Sequence, residues 1–206
     1  MKKISLFFLA AIVCGNTTFA QMGIPKIGID AGINIASSNL NKGGKSFTSS
    51  SLLGLHAGAF VEFSANKNFK IQPELQYNQM GSKTNLSFFN RPVADGIVHL
   101  DYLSIPVLAK YKFTGTGFGV YVGPQLDLLL SAKAKLASGG SSTNFDIKDS
   151  YNSTNFSGVF GVEYASFMGF VASARYQAGL GSSTKSNIFN ITSTNNAFTL
   201  TVGYAF

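Results

Sequence analysis

The chain has 206 residues, of which 16 are Lys or Arg and 9 are Asp or Glu, so 12% is charged, against roughly 25% in an ordinary soluble domain. Its 19 Phe and 8 Tyr exclude a disordered chain, and its single Cys excludes a disulfide framework or a Cys-rich metal site. The net charge of +7 comes from scattered basic residues, so no basic stripe indicates nucleic-acid binding.

The first segment in chain order has the pattern of a secretory signal peptide. Met1–Lys3 is a short positive region, an apolar run over 4–13 follows, and Ala20 stands just before the expected cleavage. A lipidated Cys14 is an alternative, although Val13 is a poor residue before a lipid attachment site. We therefore expect residues 1–20 to be a cleaved signal peptide and residues 21–206 to form one exported domain.

From residue 26 onward, apolar and polar residues alternate with a period of two, which is typical of strands with two different faces. The alternation is clearest at 27–35 and 198–206. Most of these segments are long enough for the 9–11 residues that a membrane-crossing strand needs. The predicted strands are 26–36, 52–63, 69–82, 97–113, 118–132, 154–164, 170–183 and 197–206.

The connections between these segments are alternately long and short. Those at 64–68, 114–117 and 165–169 are short, and those at 37–51, 83–96, 133–153 and 184–196 are long and polar. This layout favours an all-β fold, an eight-stranded antiparallel up-and-down transmembrane β-barrel of the smallest size. Both termini then lie with the short turns, on the periplasmic side.

Aromatic residues beside the short turns distinguish a membrane barrel from a soluble one, because they would form a girdle at one membrane interface. The alternative is that these are unrelated aromatics in a Phe-rich chain. The predicted girdle residues are Phe63, Phe69, Phe113, Phe118, Tyr164, Phe170 and Phe206.

Four segments together resemble a known family. They are Tyr102–Phe113, Gly119–Pro124, Ile71–Tyr77 and Gly28–Asn34. The chain resembles the small outer-membrane β-barrel family of Bacteroidetes-type bacteria, the porin family or PorT-like barrel domain. The resemblance implies the cell outer membrane of a Gram-negative bacterium and no catalytic motif. One branch of the family is implied in a gliding-associated secretion system, so an accessory of secretion is an alternative function.

The last strand also resembles the C-terminal signal that the barrel-assembly machinery reads during insertion. Physically, it is an edge strand with one apolar face and free backbone groups for strand addition. The simpler interpretation is a lipid-facing strand. The predicted assembly residues are Phe198, Leu200, Val202, Tyr204 and Phe206.

The inward face of the predicted barrel is charged. Eight strands enclose a lumen that side chains just fill, so we expect a charge network that plugs it, with Glu62 directly opposite Lys70. A narrow porin-like channel is the alternative. Pro73, Pro106 and Pro124 lie inside predicted strands, where we expect bulges. The predicted network is Asp30, Glu62, Lys70, Glu74, Lys110, Lys112, Asp127, Glu163 and Arg175.

An outer-membrane enzyme acting on lipid is a further hypothesis. His99 and Asp101 share a face and could form a general-base pair, and His56 points inward. No HExxH, GxSxG or phosphate-loop motif is present. We therefore predict no catalytic, cofactor or metal site, and a structural or interaction role.

The predicted partners follow from this location. They are outer-membrane lipid and lipopolysaccharide, the assembly machinery during insertion, and an external protein that binds the loops, with the chain itself a monomer. The loop at 133–153 is the longest candidate for docking a partner. The lysines and arginine expected to meet lipopolysaccharide phosphates are Lys42, Lys45, Lys83, Lys185 and Arg91.

Overall fold

A computed structural model describes residues 24–42, 45–88, 91–138, 141–185 and 191–206. The predicted signal peptide, residues 1–20, lies outside the described residues. Within them, no helix has the length and hydropathy to cross a membrane.

The described chain is almost entirely strand. The strands are β1 (Lys26–Lys42), β2 (Lys45–Thr48), β3 (Ser50–Ser64), β4 (Phe69–Phe88), β5 (Arg91–Lys112), β6 (Phe118–Ser138), β7 (Ser141–Asp146), β8 (Thr154–Ala165), β9 (Phe170–Gly179) and β10 (Ile191–Ala205). A short 3-10 helix, Lys148–Ser150, follows β7.

Eight of these strands close a barrel, which confirms the predicted fold. They pair antiparallel in the order β10-β9-β8-β6-β5-β4-β3-β1, and β1 pairs with β10 to complete the circle. The other two, β2 and β7, extend the sheet beyond the barrel by pairing with β1 and β6. The barrel therefore has a closed body and strand extensions at one end.

The strand boundaries differ from the prediction at the long connections. Much of 37–51, 83–96 and 133–153 is strand, because neighbouring strands continue to pair where the sequence turns polar. In contrast, β9 ends at Gly179 rather than at 183. There the Asn152 side chain donates to the backbone oxygens of Ser182 and Thr184, which holds this segment in an irregular path.

Short turns at 65–68, 113–117 and 166–169 lie at the opposite end from the extensions. Gly115 (φ 77°) and Gly169 (φ 89°) occupy left-handed conformations that glycine adopts without a steric penalty. The start of β1 and Phe206 lie here too, since the Phe206 amide donates to the Ile27 oxygen at 2.8 Å.

The three strand prolines do not cause bulges, so that expectation was wrong. Pro73, Pro106 and Pro124 each keep an aligned partner, and the register does not shift at any of them. A proline removes only one backbone donor, and a strand can lose that hydrogen bond without gaining a residue. The shifts occur elsewhere, for example after Asp101 in the β5–β6 ladder.

The outer face of the barrel is apolar and the inner face is largely polar. Leu53, Val122 and Val202 are more than 60% exposed on the outside, whereas Asn34, Ser104 and other polar side chains are buried inside. The outer face thus suits lipid, and the lumen is where functional chemistry is to be sought.

Candidate functional site: a filled lumen

The layer of the lumen nearest the short turns is centred on Lys110, which is 3% exposed. Its ammonium lies 2.5 Å from Glu163 Oε2 and 3.2 Å from Glu62 Oε2. It also donates to Gln72 Oε1 at 2.7 Å. Two carboxylates and an amide thus surround one buried cation, as a buried charge requires.

Two further lysines complete this layer at the rim. Lys112 Nζ lies 3.0 Å from Glu62 Oε2 and 3.6 Å from Glu163 Oε1. Lys70 Nζ is 3.8 Å from Glu62 Oε1, but the residue directly opposite Lys70 is Ser64. The expected face-to-face pairing of Glu62 and Lys70 was therefore wrong, and their contact is diagonal because the register is shifted by two residues.

The middle layer is built on Arg175. Its Nη1 lies 2.9 Å from Glu74 Oε2, its Nη2 lies 4.0 Å from Asp30 Oδ2, and the guanidinium lies over the Tyr121 ring at 5.5 Å. Glu74 also accepts hydrogen bonds from the amides of two neighbouring glutamines. One guanidinium thus serves two carboxylates, of which Glu74 is the nearer.

His56 belongs to this layer as well. It is 2% exposed, with Nδ1 2.7 Å from Asn78 Oδ1 and Nε2 3.4 Å from Asp30 Oδ1. Asn78 in turn accepts from Asn34 at 3.1 Å. The imidazole therefore connects the ion pairs to an amide network.

The third layer surrounds Asp127, which is 2% exposed. Its carboxylate accepts from the hydroxyls of Ser104 and Ser157 at 2.5 and 2.6 Å, and from the amides of Gln125 and Gln177 at 2.6 and 3.0 Å. No Lys or Arg in the described part of the chain lies within ion-pair distance. Neutral donors alone satisfy this buried acid.

An apolar cluster, here called the cap, closes the lumen at the long-strand end. Sequence reasoning missed it, although the signal was available because inward positions at the far ends of β4, β5 and β6 turn apolar. Its buried members are Ala36, Met80, Leu100, Tyr102, Leu129, Ala132 and Ala197, with Val98, Ile147 and Tyr151 packed against them.

The segment after β7 folds over the cap rather than projecting outward. The Ile147 amide donates to the Ala132 oxygen at 3.0 Å, and Tyr151 pairs with Thr184 in the segment after β9. Burial raises the pKa of the Tyr151 hydroxyl, which keeps it a neutral phenol. This part of the predicted docking loop thus forms a lid on the lumen.

The short-turn end is open to solvent. A cavity of about 330 Å³ lies there between the lysine–glutamate layer and the third short turn. Phe167 at the tip of that turn is fully exposed. The lumen is consequently a blind pit that opens on the side of the short turns.

The aromatic residues expected in a girdle lie at this same end, on the outer face. Several are in contact across strands, for example Phe118 with Tyr164 at 5.0 Å between ring centroids and Phe170 with Tyr204 at 5.4 Å. Phe63 is half-buried, and the other predicted members are exposed: Phe69, Phe113, Phe118, Tyr164, Phe170 and Phe206. The side chains of the predicted assembly signal, Phe198, Leu200, Val202, Tyr204 and Phe206, are also exposed.

The structure does not bring His99 and Asp101 together as a catalytic pair. Both lie on the outer face of β5, and Asp101 accepts a hydrogen bond at 3.0 Å from the Tyr77 hydroxyl. Among the described residues, no group of three or more His, Cys, Asp or Glu side chains could hold a metal ion.

The basic residues expected to meet lipopolysaccharide are only partly described. Lys83 is exposed on the outer face of β4, and Lys185 is exposed after β9. The side chains of Lys42, Lys45 and Arg91 lie outside the described part of the structure.

Comparison with known proteins gives one family. Residues 19–185 match the family model described as the outer membrane protein beta-barrel domain. The search of curated proteins found no significant match.

Three solved structures are distantly similar. Ail, the attachment invasion locus protein of Yersinia pestis, is 16% identical with a TM-score of 0.49, over 89% of this chain and 100% of that one. Neisserial surface protein A is 18% identical with a TM-score of 0.48, over 90% of this chain and 99% of that one. The N-terminal β-barrel domain of Pseudomonas aeruginosa OprF is 13% identical with a TM-score of 0.45, over 88% of this chain and 97% of that one.

Proposed function

Since the chain belongs to the outer membrane protein beta-barrel domain family, and is therefore an outer-membrane β-barrel protein, we propose that it is a non-catalytic barrel with a sealed lumen and a partner-binding outer end. The filled lumen is the observation that carries this proposal. Three polar layers and the cap occupy it, and Leu100 and Tyr102 at its outer end are 1% and 2% exposed. Hydrated ions have no continuous path through such packing.

Single-channel recording tests the seal. We expect purified protein in planar bilayers to show no steady conductance, with a general porin in the same bilayer as the positive control. Steady openings of the wild-type protein would contradict the seal and favour a narrow channel.

The length of three strands supports a role outside the membrane. β4, β5 and β6 have 20, 22 and 21 residues, whereas crossing takes about 9–11. The remaining residues, at about 3.3 Å each, extend the sheet some 30 Å along the strands. We propose that this sheet, continued by β7, docks an external protein.

Trimming the sheet tests this proposal. Thr84 and Gly96 are aligned partners in β4 and β5, so a two-residue Asn-Gly turn can join Lys83 to Ile97. We expect the trimmed protein to keep its heat-modifiable mobility on gels, which reports a folded barrel, and to lose binding to cells or to partners in a pull-down. A docking role would be contradicted if the trimmed protein bound as well as the full-length protein does, or if the full-length protein bound nothing.

The orientation is part of the proposal, with the short turns and both chain ends in the periplasm. The short turns at this end and the strand extensions at the other support it, because outer-membrane barrels have short periplasmic turns and longer external connections. The one cysteine, Cys14, lies in the predicted signal peptide, so single cysteines can be introduced. On intact cells, an impermeant maleimide should label Asn144→Cys and not Lys67→Cys, and the reverse would invert the orientation.

A membership in the Bacteroidetes-type subgroup is also proposed, supported by the strand motifs quoted above. We further propose that the terminal strand guides barrel assembly and that the protein is a monomer. No catalytic role is proposed, because Asp101 is engaged by Tyr77 and the charged lumen residues are held by ion pairs or, at Asp127, by neutral hydrogen-bond donors.

A further inference from the structure

Four basic side chains form a patch on the outer face of β4, β5 and β6. The patch consists of Lys83, His99, Lys133 and Lys135, all of them exposed. Lys83 and Lys135 flank Ile97 in the β4–β5–β6 register, and His99 is aligned with Lys133. Three neighbouring strands thus bring together residues that are far apart in sequence.

The dimensions of the patch suit one multiply charged headgroup. Neighbouring strands lie about 4.8 Å apart and residues advance about 3.3 Å along each. The Cα atoms of Lys83 and Lys135 are therefore roughly 10 Å apart, and those of Lys133 and Lys135 roughly 7 Å apart. Flexible lysine side chains can converge over that range on two phosphate groups.

The charge of the patch is not neutralised by ion pairs in the described part of the chain. Asp146 is aligned with Lys133, but its Oδ1 accepts the Lys148 amide at 2.9 Å. The Lys148 ammonium adds a positive charge close by, where it donates to the Leu130 oxygen at 2.8 Å. The local balance of charge is positive.

A hydrogen-bonding tier lies directly below the patch on the same outer face. The Tyr77 hydroxyl donates to Asp101 at 3.0 Å and accepts from Gln79 at 3.1 Å. Below this tier the outer face is apolar, with Ile105 and Val107 exposed. Along the strands, from the middle of the barrel to the long-strand end, the outer face is first apolar, then hydrogen-bonding at Tyr77 and Asp101, and finally cationic at the patch.

The patch occupies one sector of the barrel. At comparable outward positions four other strands carry uncharged residues, namely Ser37, Ser50, Thr154 and Asn196, and Lys185 is a single exposed lysine beyond the end of β9. A general attraction to a charged membrane surface would not need such a restriction, whereas a site for one lipid molecule would produce it.

We propose that this sector binds a phosphorylated glycolipid of the outer leaflet. Its phosphates contact the patch, its sugar hydroxyl or amide groups donate to Asp101, and its acyl chains lie on the apolar face below. An acid beside a phosphate site disfavours a purely anionic headgroup but accepts hydrogen bonds from a sugar. This inference rests on the orientation proposed above, with the long strands in the outer leaflet.

The test uses the full-length protein in detergent micelles, titrated with diphosphorylated lipid A and followed by native mass spectrometry. The variant Lys133→Gln/Lys135→Gln is compared with Lys26→Gln/Lys67→Gln, which removes two exposed lysines at the short-turn end. We expect lipid A to bind the first variant about tenfold to thirtyfold more weakly than wild type. The second variant should bind as wild type does.

Further lipids identify the ligand class. Dephosphorylated lipid A should bind all variants equally weakly, and Asp101→Asn should lower affinity for lipid A but not for phosphatidylglycerol. The proposal would be overturned if the wild-type protein bound phosphatidylglycerol as tightly as lipid A. It would also be overturned if both double variants lost the same amount of affinity for lipid A. The proposal would also be overturned if Lys133→Gln/Lys135→Gln lost heparin binding but kept lipid A binding, because the patch would then be a site for a soluble polyanion.

The micelle assay does not depend on orientation, so its failure differs from that of the proposed function. If lipid A binds the patch but Lys67→Cys is the labelled cysteine on cells, the orientation is wrong and the lipid site stands. If Asn144→Cys is labelled but lipid A does not bind, the lipid site is wrong and the orientation stands.

Discussion

Replacing Arg175 by methionine should destabilise the barrel strongly, because it leaves a buried carboxylate without its cation. The Glu74 side chain is 1% exposed and Arg175 is 5% exposed, with 2.9 Å between Nη1 and Oε2. Methionine retains much of the side-chain volume, so the change removes mainly charge and hydrogen bonds.

The magnitude follows from this geometry. A charge pair at about 4 Å and an effective dielectric constant near 20 interacts by about 4 kcal/mol. Removing one partner of a buried pair costs about 3–5 kcal/mol. Glu74 keeps hydrogen bonds from Gln72 and Gln76, so we expect a loss near the lower limit of that range.

The assay is urea unfolding in detergent micelles, followed by far-UV circular dichroism because the chain has no Trp. Arg175→Met should lower the free energy of unfolding by about 3 kcal/mol. Adding Glu74→Gln should recover about 2 kcal/mol, because the unpaired charge is gone. Lys67→Met, in an exposed turn, is the control and should change little.

A loss below about 1 kcal/mol for Arg175→Met, within the range of a surface ion pair, would refute this reasoning. It would mean that water reaches Glu74 and that the middle layer is not a seal. Failure of Glu74→Gln to recover stability would show that packing, rather than charge, dominates at this position.

Three other perturbations test different parts of the barrel. Gly32→Ala should lower the yield of folded barrel on gels, because its Cβ would lie 1.9 Å from the Leu200 oxygen across the closing strands, whereas Gly181→Ala, with nothing within 4 Å, should not. Deleting Phe206 should lower outer-membrane levels in cell fractions, since it removes the last ring and the bond to Ile27, and unchanged levels would count against an assembly role. Because burial raises the pKa of Tyr151, the phenol of the unfolded chain loses its proton first. Stability measured by urea unfolding should therefore fall above about pH 10, and Tyr151→Phe should lack that component.

The fold could be predicted because strand alternation has a short period that a sequence displays directly. Arg175 and Glu74 each lie an even number of residues from other inward positions of their strands, which is enough to assign both to the inner face. Which side chains meet inside depends on the stagger between strands, which no local pattern reveals. This is why Lys70 was expected opposite Glu62 and is instead aligned with Ser64.

The long-strand end was harder to predict for a different reason. Polar residues in 83–96 and 133–146 look like loops, yet most of their backbone pairs as strand because each continues a hairpin that already exists. The cap depends on inward apolar residues at the ends of three strands, such as Met80 and Leu129. The sequence does show these apolar residues at inward-facing positions. It does not show which residues of the other strands they pack against, because that depends on the stagger between strands.

The pairing of β1 with β10 has a consequence for how the chain can fold. Its 15 aligned pairs join residues that are 149 to 177 positions apart, among the most distant contacts between described residues. The entropy of closing so long a loop is lost before those contacts form, so the two end strands should zip together last. Until then the sheet is an open ribbon with two unpaired edges, which invite strand exchange with other chains. A carrier protein that covers both edge strands between export and barrel closure would therefore limit aggregation. The rate at which β1 pairs with β10 should set how long the carrier is needed.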